Sequence, residues 1–432
     1  MKKRILLLAL LALIGTGILL TGCESTPVTG WVTTDEGTFY KDENGSCLSG
    51  WQEIDGALYY FGEDCAMATG WLKLEDGSYY LDENGHITSG WTTIGGKELC
   101  FGEDGKLITG WVEKDDVHLY LRSDGTVATG WVEDGGLTYY MDDKGIPVTG
   151  WMEVGPYRYY FQENGCMLTG WAQFAGNKYY FSPNGVMQTG VTEVDGKYYI
   201  FNENGAMLTG WAEVGEYRYY LREDGTAATG PVEIDGTTWY FTPKGVQIYL
   251  VNPWHYLPDG YATELSYIDD RQQIAARCYD ALMKMLSDCA AAGHKTAIAS
   301  GYRTMADQQY LFNRKMNYYL DLDYSWEAAR KEAATVIAIP GTSEHQLGLA
   351  VDIMDVNYPY LDDNQADTEA QKWLMEHCYD YGFILRYPIG TTEITGIIYE
   401  PWHYRYVGLE VAKDIQAQNV TLEEYLNAVV TE

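Results

Sequence analysis

From residue 28 onward the apolar positions come in short alternating bursts. In "TGWMEVGPYRYYFQENGCMLTGW" (residues 149–171) two β-prone runs are separated by Gly-containing turns, the signature of a hairpin. The burst returns at a fixed interval: Gly30, Gly50, Gly70, Gly90, Gly110, Gly130, Gly150, Gly170, Gly190, Gly210 and Gly230 stand twenty residues apart, and all but two precede a tryptophan, the exceptions being Val191 and Pro231. A lone hairpin is marginal in water, so each unit is expected to bury its tryptophan and tyrosines against the next. The pattern predicts an all-β solenoid of about eleven 20-residue hairpin repeats over residues 28–246.

Beyond that point the period stops. "YLVNPWHYLPDGY" (249–261) leads into helix-length segments at 271–292 and 326–338, which alternate irregularly with the apolar runs "KTAIASGYR", "GLAVDIMDV" and "TGIIYEPWHYRYVG". These predict an α+β domain over residues 247–432 and hence a multidomain chain, as the 432-residue length suggests.

Candidate chemistry concentrates in this second domain. In "PGTSEHQLGLAVDI" (340–353), His345 and Asp352 lie seven apart, and Gly341 and Gly348 argue against a continuous helix. They are either metal ligands or parts of a polar loop entering an apolar strand. A catalytic zinc takes three ligands of His or carboxylate type and keeps a fourth position for water. His403 follows Glu400 by three residues in "YEPWHYRY", where Pro401 disfavours a helix, so a strand end or loop turns both side chains toward one cavity. His377, in the helical "EAQKWLMEHCYDYGF", reads as a partly buried helix residue, and His255 and His294 as surface or packing residues. A structural zinc would call for cysteines in a closed set, and none lies near these motifs.

Three segments, "SGYRT" (300–304), "SEHQLGLAVD" (343–352) and "EPWHYRYVG" (400–408), resemble the motifs of the VanY-type zinc D-alanyl-D-alanine carboxypeptidases, over roughly residues 247–410. The resemblance implies that His345, Asp352 and His403 bind one zinc ion, that Glu400 is the general base and that Arg303 stabilises the oxyanion. It further implies that Gln308 and Ser343 help hold the terminal D-Ala of peptidoglycan stem peptides. L,D-carboxypeptidases acting on stem tetrapeptides share the same metal motifs, and a non-catalytic wall tether is a third reading. One departure is "YPIGTTEITG" (387–396), which lacks the lysine that the family leads one to expect near Thr391.

The repeats resemble the cell-wall-binding repeats of choline-binding and glucan-binding proteins. That resemblance implies a wall partner, either choline-substituted teichoic acid held by cation–π attraction or a glycan stacked on aromatic faces. Trp51, Trp71, Trp131, Trp151, Trp171, Tyr160 and Tyr180 are the candidate ligand residues, unless they only pack repeat on repeat. The family's usual "WYY" has Leu58, Ser78 or Arg158 in its first place in several repeats, which removes one aromatic wall.

Charge narrows the partners. Acidic residues outnumber basic ones 62 to 29, for a formal charge of -33, which disfavours nucleic acid and anionic lipid surfaces. The N-terminus, "MKKRILLLALLALIGTGILLTGC", places Lys2, Lys3 and Arg4 before an apolar run and ends in Leu20-Thr21-Gly22-Cys23. It reads as a lipoprotein signal peptide over 1–22, with Cys23 lipidated and 23–27 a short linker. The alternative is ordinary secretion. The expected location is the outer face of a bacterial cell membrane, lipid-anchored and in contact with the wall. Seven further cysteines include Cys278 and Cys289 on one expected helix, roughly 16 Å apart, too far to bridge. Most cysteines are therefore expected to be small apolar fillers.

Overall fold

The computed structural model describes residues 27–430; the signal segment and Cys23 lie outside them. The chain forms two compact units, one ending at Leu168 and one beginning at Thr169. Among the described residues the first holds seven antiparallel hairpins, from Gly30–Thr34 with Gly37–Lys41 to Gly150–Val154 with Tyr157–Phe161. Four more hairpins open the second unit, and the α+β domain follows them. The architecture is a solenoid-like repeat of open sheets, two-stranded except for the last, which gains the strand Gln247–Ile248, followed by an α+β domain, as the sequence predicted.

Two-residue turns set each hairpin. At Asp55-Gly56 and Asp195-Gly196 both central residues have positive φ, the type I′ geometry that matches the twist of the flanking strands and that Asp-Gly favours. The register then decides what is buried. In the hairpin at 150–161, Trp151 pairs with Tyr160 and Gly150 with Phe161. Side chains alternate between faces, so Tyr159 and Phe161 point inward while Tyr160 shares the outer face with Trp151.

The inner column is the residue that closes the second strand of each hairpin, Phe or Leu in all but the first and sixth: Phe61, Leu81, Phe101, Leu121, Met141, Phe161, Phe201 and Phe241 are all buried, and only the first hairpin has a lysine, Lys41, there. This corrects the expectation that tryptophan is buried between units. Trp71 remains 52% exposed, and Trp31, Trp131, Trp151 and Trp171 are each at least 40% exposed. They lie edge-on against tyrosines, as Trp131 does on Tyr140 and on Tyr159 of the following repeat, at 5.1 and 5.0 Å. Main-chain hydrogen bonds stitch repeat to repeat, for example Met67 N to Thr38 O at 2.7 Å and Ala227 N to Tyr198 O at 2.8 Å.

The α+β domain is built on a four-stranded antiparallel sheet in the order Thr296–Ser300, Ala350–Asp355, His403–Tyr406, Phe383–Leu385. Its first helix is Ala276–Ala291, shorter than expected because Gln273–Ala275 pairs with Leu265–Tyr267 as a strand. That helix buries Cys278, Leu282, Met285 and Cys289 against the sheet. The helix Met305–Leu320 starts at a capping box between Thr304 and Asp307, and Trp326–Val336 ends two residues before the expected limit. A second apolar cluster joins Tyr219, Val246 and Ile248 of the last repeats to Ile384, Val407, Val411 and Ile415. The final hairpins and the α+β domain thus share a core.

Among the seven described cysteines none is bridged. Cys100, Cys166, Cys278, Cys289 and Cys378 are buried, as expected of apolar fillers; Cys47 and Cys65 are not. No helix among the described residues is long and apolar enough to cross a membrane.

Candidate functional site

Sheet register brings the candidate residues together. Asp352 stands directly opposite His403 on one side and opposite Ser300 on the other. His345 arrives on the one-turn helix Glu344–Leu347, which ends on Gly348 in the left-handed region at φ 70°. Glu400 occupies the turn just before the strand His403–Tyr406, the strand-end setting that Pro401 predicted. All four side chains are buried, and together with Arg303, Ser343, Tyr387, Ile397 and Trp402 they line a cleft of about 160 Å³.

His345, Asp352 and His403 can each offer one ligand atom, all within 4.8 Å of one another. The hydrogen bonds fix which nitrogens are free. His345 Nδ1 lies 2.7 Å from the Gly301 carbonyl, which only accepts, so Nδ1 carries the hydrogen and the Nε2 lone pair faces Asp352 Oδ2 at 3.2 Å. A side chain at Gly301 would collide with the Gln273 carbonyl at 2.3 Å, so a glycine is required for that carbonyl to reach the imidazole. On the other side, two buried atoms have no hydrogen-bond partner, His403 Nε2 and Glu344 Oε2, and they face each other at 3.5 Å. An N–H at Nε2 turned toward Glu344 leaves the Nδ1 lone pair directed at Asp352 Oδ1, 3.0 Å away. Two lone pairs then converge on one carboxylate, an arrangement that a cation between them relieves. The donor set suits zinc with an open position.

Burial and charge tune these groups apart. Burial, reinforced by the Arg303 guanidinium, lowers His345 to about 4, so its imidazole is neutral. Burial also opposes a cation on His403, but the neighbouring Asp352 and Glu344 carboxylates outweigh it and raise the group to about 9, so a metal ion would take the Nδ1 lone pair by displacing a proton. Glu400 is pushed up to about 8, chiefly by burial, with His403 opposing and Asp352 adding to the effect. Its Oε2 lies 3.6 Å from His403 Nδ1.

Arg303 lines the cleft, donating from Nη2 to Asp352 Oδ2 at 2.8 Å and from Nε to Ser300 Oγ at 2.9 Å. Ser343 is buried in the same wall. Gln308 is placed differently from the expectation that it touches substrate: fully buried, it donates to the Ala338 carbonyl at 2.7 Å and accepts from Arg303 Nη1 at 3.4 Å. It braces the arginine and the cleft wall from behind. His377 ends the helix Glu369–His377 against Trp373, and His255 is held by Asn252, both in the packing roles expected.

Sequence reasoning missed a buried ionic lattice under the site. Glu344 Oε1 accepts from Arg386 Nε at 2.8 Å and Arg405 Nη1 at 2.7 Å. Arg386 also grips Glu423 with two nitrogens, and Asn252 donates to that glutamate at 2.9 Å. Tyr387 lies tilted against the His403 ring, with centroids 4.8 Å apart. Glu344 sits inside the quoted motif, and its place beside His345 was the only signal available.

On the repeats, Trp171 and Tyr199 meet at 4.8 Å and, with Lys178, Met207 and Asp224, line a pocket of about 370 Å³. Tyr180 lies beside Trp171 at 5.1 Å, Tyr60 beside Trp51 at 5.1 Å, and Tyr80 beside Trp71 at 5.5 Å. Other tryptophans already carry a cation from the protein itself: Lys114 lies 4.4 Å over Trp91, Arg158 5.0 Å over Trp151, and Arg218 3.9 Å over Trp211 and 5.5 Å over Trp239. The arginine that replaces the first aromatic in the hairpin at 150–161 therefore covers its neighbouring tryptophan, and Tyr160 lies beside that ring at 5.3 Å.

A neutral imidazole, a carboxylate and a second imidazole beside a buried carboxyl, set in a cleft over an antiparallel sheet, define a hydrolase centre. Residues 271–409 match the VanY family model, described as D-alanyl-D-alanine carboxypeptidase, and through this domain the chain belongs to that family. A D-alanyl-D-alanine carboxypeptidase of Enterococcus faecalis is 43% identical over 180 residues, 42% of this chain and 65% of that one. YodJ of Bacillus subtilis is 37% identical over 191 residues, 42% of this chain and 67% of that one. The chain spans about two thirds of the length of these curated relatives. A crystal structure of a vancomycin resistance D,D-pentapeptidase VanY variant with Zn(II) is 42% identical, covering 41% of this chain and 98% of that one, with a TM-score of 0.39. Residues 48–89 and overlapping stretches from 148 to 230 match a choline-binding repeat model, and 29–47 and 129–146 a cell wall binding repeat model.

Proposed function

We propose that the protein is a zinc-dependent D-alanyl-D-alanine carboxypeptidase that removes the terminal D-Ala from peptidoglycan stem peptides, held at the wall by its aromatic repeats and at the membrane by lipid on Cys23. The observation that carries the reading is the convergence of two imidazole lone pairs and the Asp352 carboxylate next to buried Glu400. His345, Asp352 and His403 would hold the ion. When bound, zinc supplies a water acidified toward about pH 7 and polarisation of the scissile carbonyl.

The remaining steps belong to the chain's own side chains. Glu400, placed next to His403, takes the proton from the attacking water and delivers it to the departing amine. Arg303, always protonated, faces the charge that grows on the carbonyl oxygen and also holds Asp352 in place. Ser343, in the same wall, offers a hydroxyl for the substrate carboxylate. The lattice of Glu344, Arg386 and Arg405 holds the second histidine in the ligating tautomer.

Zinc content and turnover measured on the same preparations of the full chain test this. Glu400→Gln is expected to retain zinc and lose turnover by about a hundred- to ten-thousand-fold. His345→Ala is expected to lose both. Unchanged turnover in either variant rejects the assignment.

A further inference from the structure

One irregularity of the repeats is unexplained by wall binding or hydrolysis. The turn that follows the second strand of each hairpin carries glycine at the same place in every repeat but one: Gly45, Gly85, Gly105, Gly125 and their equivalents to Gly245, with Cys65 as the exception. The position lies in the left-handed region throughout, with φ of 81° at Gly45, 75° at Gly105 and 84° at Gly145. Cys65 keeps the same conformation at φ 62°, one that a side chain with a Cβ disfavours.

The site demands glycine for a second reason. A Cβ there points at the residue eighteen positions earlier, in the preceding repeat. It would meet Met67 from Gly85, Leu107 from Gly125, Pro147 from Gly165, Met207 from Gly225 and Ala227 from Gly245, all within 2.9 Å. In that facing series only one residue is a cysteine, Cys47, and it stands opposite Cys65. The one turn that abandons glycine thus does so where the facing side chain is also a cysteine, near enough that, after burial, Cys47 helps push the Cys65 thiol up. At Gly245 and Ala227 the built Cβ-to-Cβ gap is 2.5 Å, and at Gly165 and Pro147 it is 2.9 Å. A disulfide holds its Cβ atoms about 3.5–4.5 Å apart, a separation reached by a small opening of the turn. Cys47 is exposed, so an oxidant can reach it.

We propose that Cys47 and Cys65 form a disulfide that clamps the first hairpin to the second. The reaction is thiol–disulfide exchange with a disulfide-bearing oxidant, either a protein dithiol oxidase or a small-molecule disulfide. A thiolate of the pair attacks the oxidant's disulfide and releases one of its sulfurs as a thiol. The other cysteine then displaces the second, so that two cysteine thiols are oxidised and one external disulfide is reduced to two thiols. Among the described residues the first hairpin packs on a following neighbour only, so a covalent tie to the second adds to a single interface. The export that the N-terminal segment predicts would carry the pair to a compartment where such bonds persist.

The test uses the full chain equilibrated with oxidised glutathione, then alkylated, digested without reductant and weighed. A peptide pair joined through Cys47 and Cys65, about 2 Da lighter than the sum of its thiol forms, is the expected product. Proteolysis within residues 27–65 should be slowed at least about tenfold in the oxidised protein and should return to the faster rate on reduction. Cys65→Gly restores the residue found in every other repeat, so it should fold and show no redox dependence of that rate. Alkylation of both thiols after oxidation, a bridge from either to another cysteine, or a redox effect that survives in Cys65→Gly overturns the proposal.

Discussion

At the scale of single residues, the lattice beneath the cleft makes a sharper prediction than the ligands do. Burial alone would push Glu344 up, but the guanidinium groups of Arg386 and Arg405, with His403, outweigh it and hold the carboxyl far below the usual range. An ordinary glutamate protonates near about pH 4. A depressed value therefore contributes stability that is complete above that pH and disappears as pH falls through the depressed value. Glu344→Gln leaves two buried guanidinium groups short of a counter-charge and is expected to cost about 3–5 kcal/mol near neutral pH. In paired melts of wild type and variant, that deficit should shrink only below about pH 4; a deficit that shrinks toward high pH contradicts the pairing. The candidate metal-binding residues and Glu400 were legible because their motifs fix spacing and residue type together. Glu344, Arg386, Arg405 and Glu423 were not. Charged side chains read as solvent-facing, and nothing in the chain announces that residues 42 and 61 positions apart meet in one buried lattice. The bracing contacts of Gln308 were hidden for the same reason, since its partners, Ala338 and Arg303, are set by tertiary packing.

At the scale of elements, period two inside period twenty explains both what was read and what was misread. The hairpins and their turns followed directly from Asp-Gly, Gly-Gly and alternating runs. Which aromatic is inside depends on register, and register pairs tryptophan with the second tyrosine on the outer face. Removing the inner column should therefore hurt more than removing the tryptophan beside it. Phe161→Ala is expected to cost about 3–5 kcal/mol, read as lost hydrogen-exchange protection in the hairpin at 150–161. Trp131→Ala should cost less in its own hairpin, because its ring is 44% exposed. Equal losses would mean that the outer rings are structural after all. The first helix of the α+β domain started late because a three-residue strand took its first turn, a contest between neighbours that local pattern does not resolve.

At the scale of the whole molecule, the repeats supply a series of partly exposed aromatic faces and the α+β domain supplies the cleft, on a chain whose formal charge is -33. Such a surface favours a cationic or neutral wall ligand. We expect the full chain to be retained on purified wall material and eluted by choline, whereas indifference to choline with retention intact would point to glycan. If choline is the ligand, Trp171→Ala should weaken retention more than Trp211→Ala, since Arg218 already covers the latter ring. The most direct test of the whole reading is one assay: zinc-loaded full chain, with metal content measured on the same sample, incubated with stem pentapeptide and with stem tetrapeptide and the products weighed. We expect one D-Ala to leave the pentapeptide and the tetrapeptide to remain intact. Release from the tetrapeptide alone, or from neither peptide at full zinc occupancy, would contradict it.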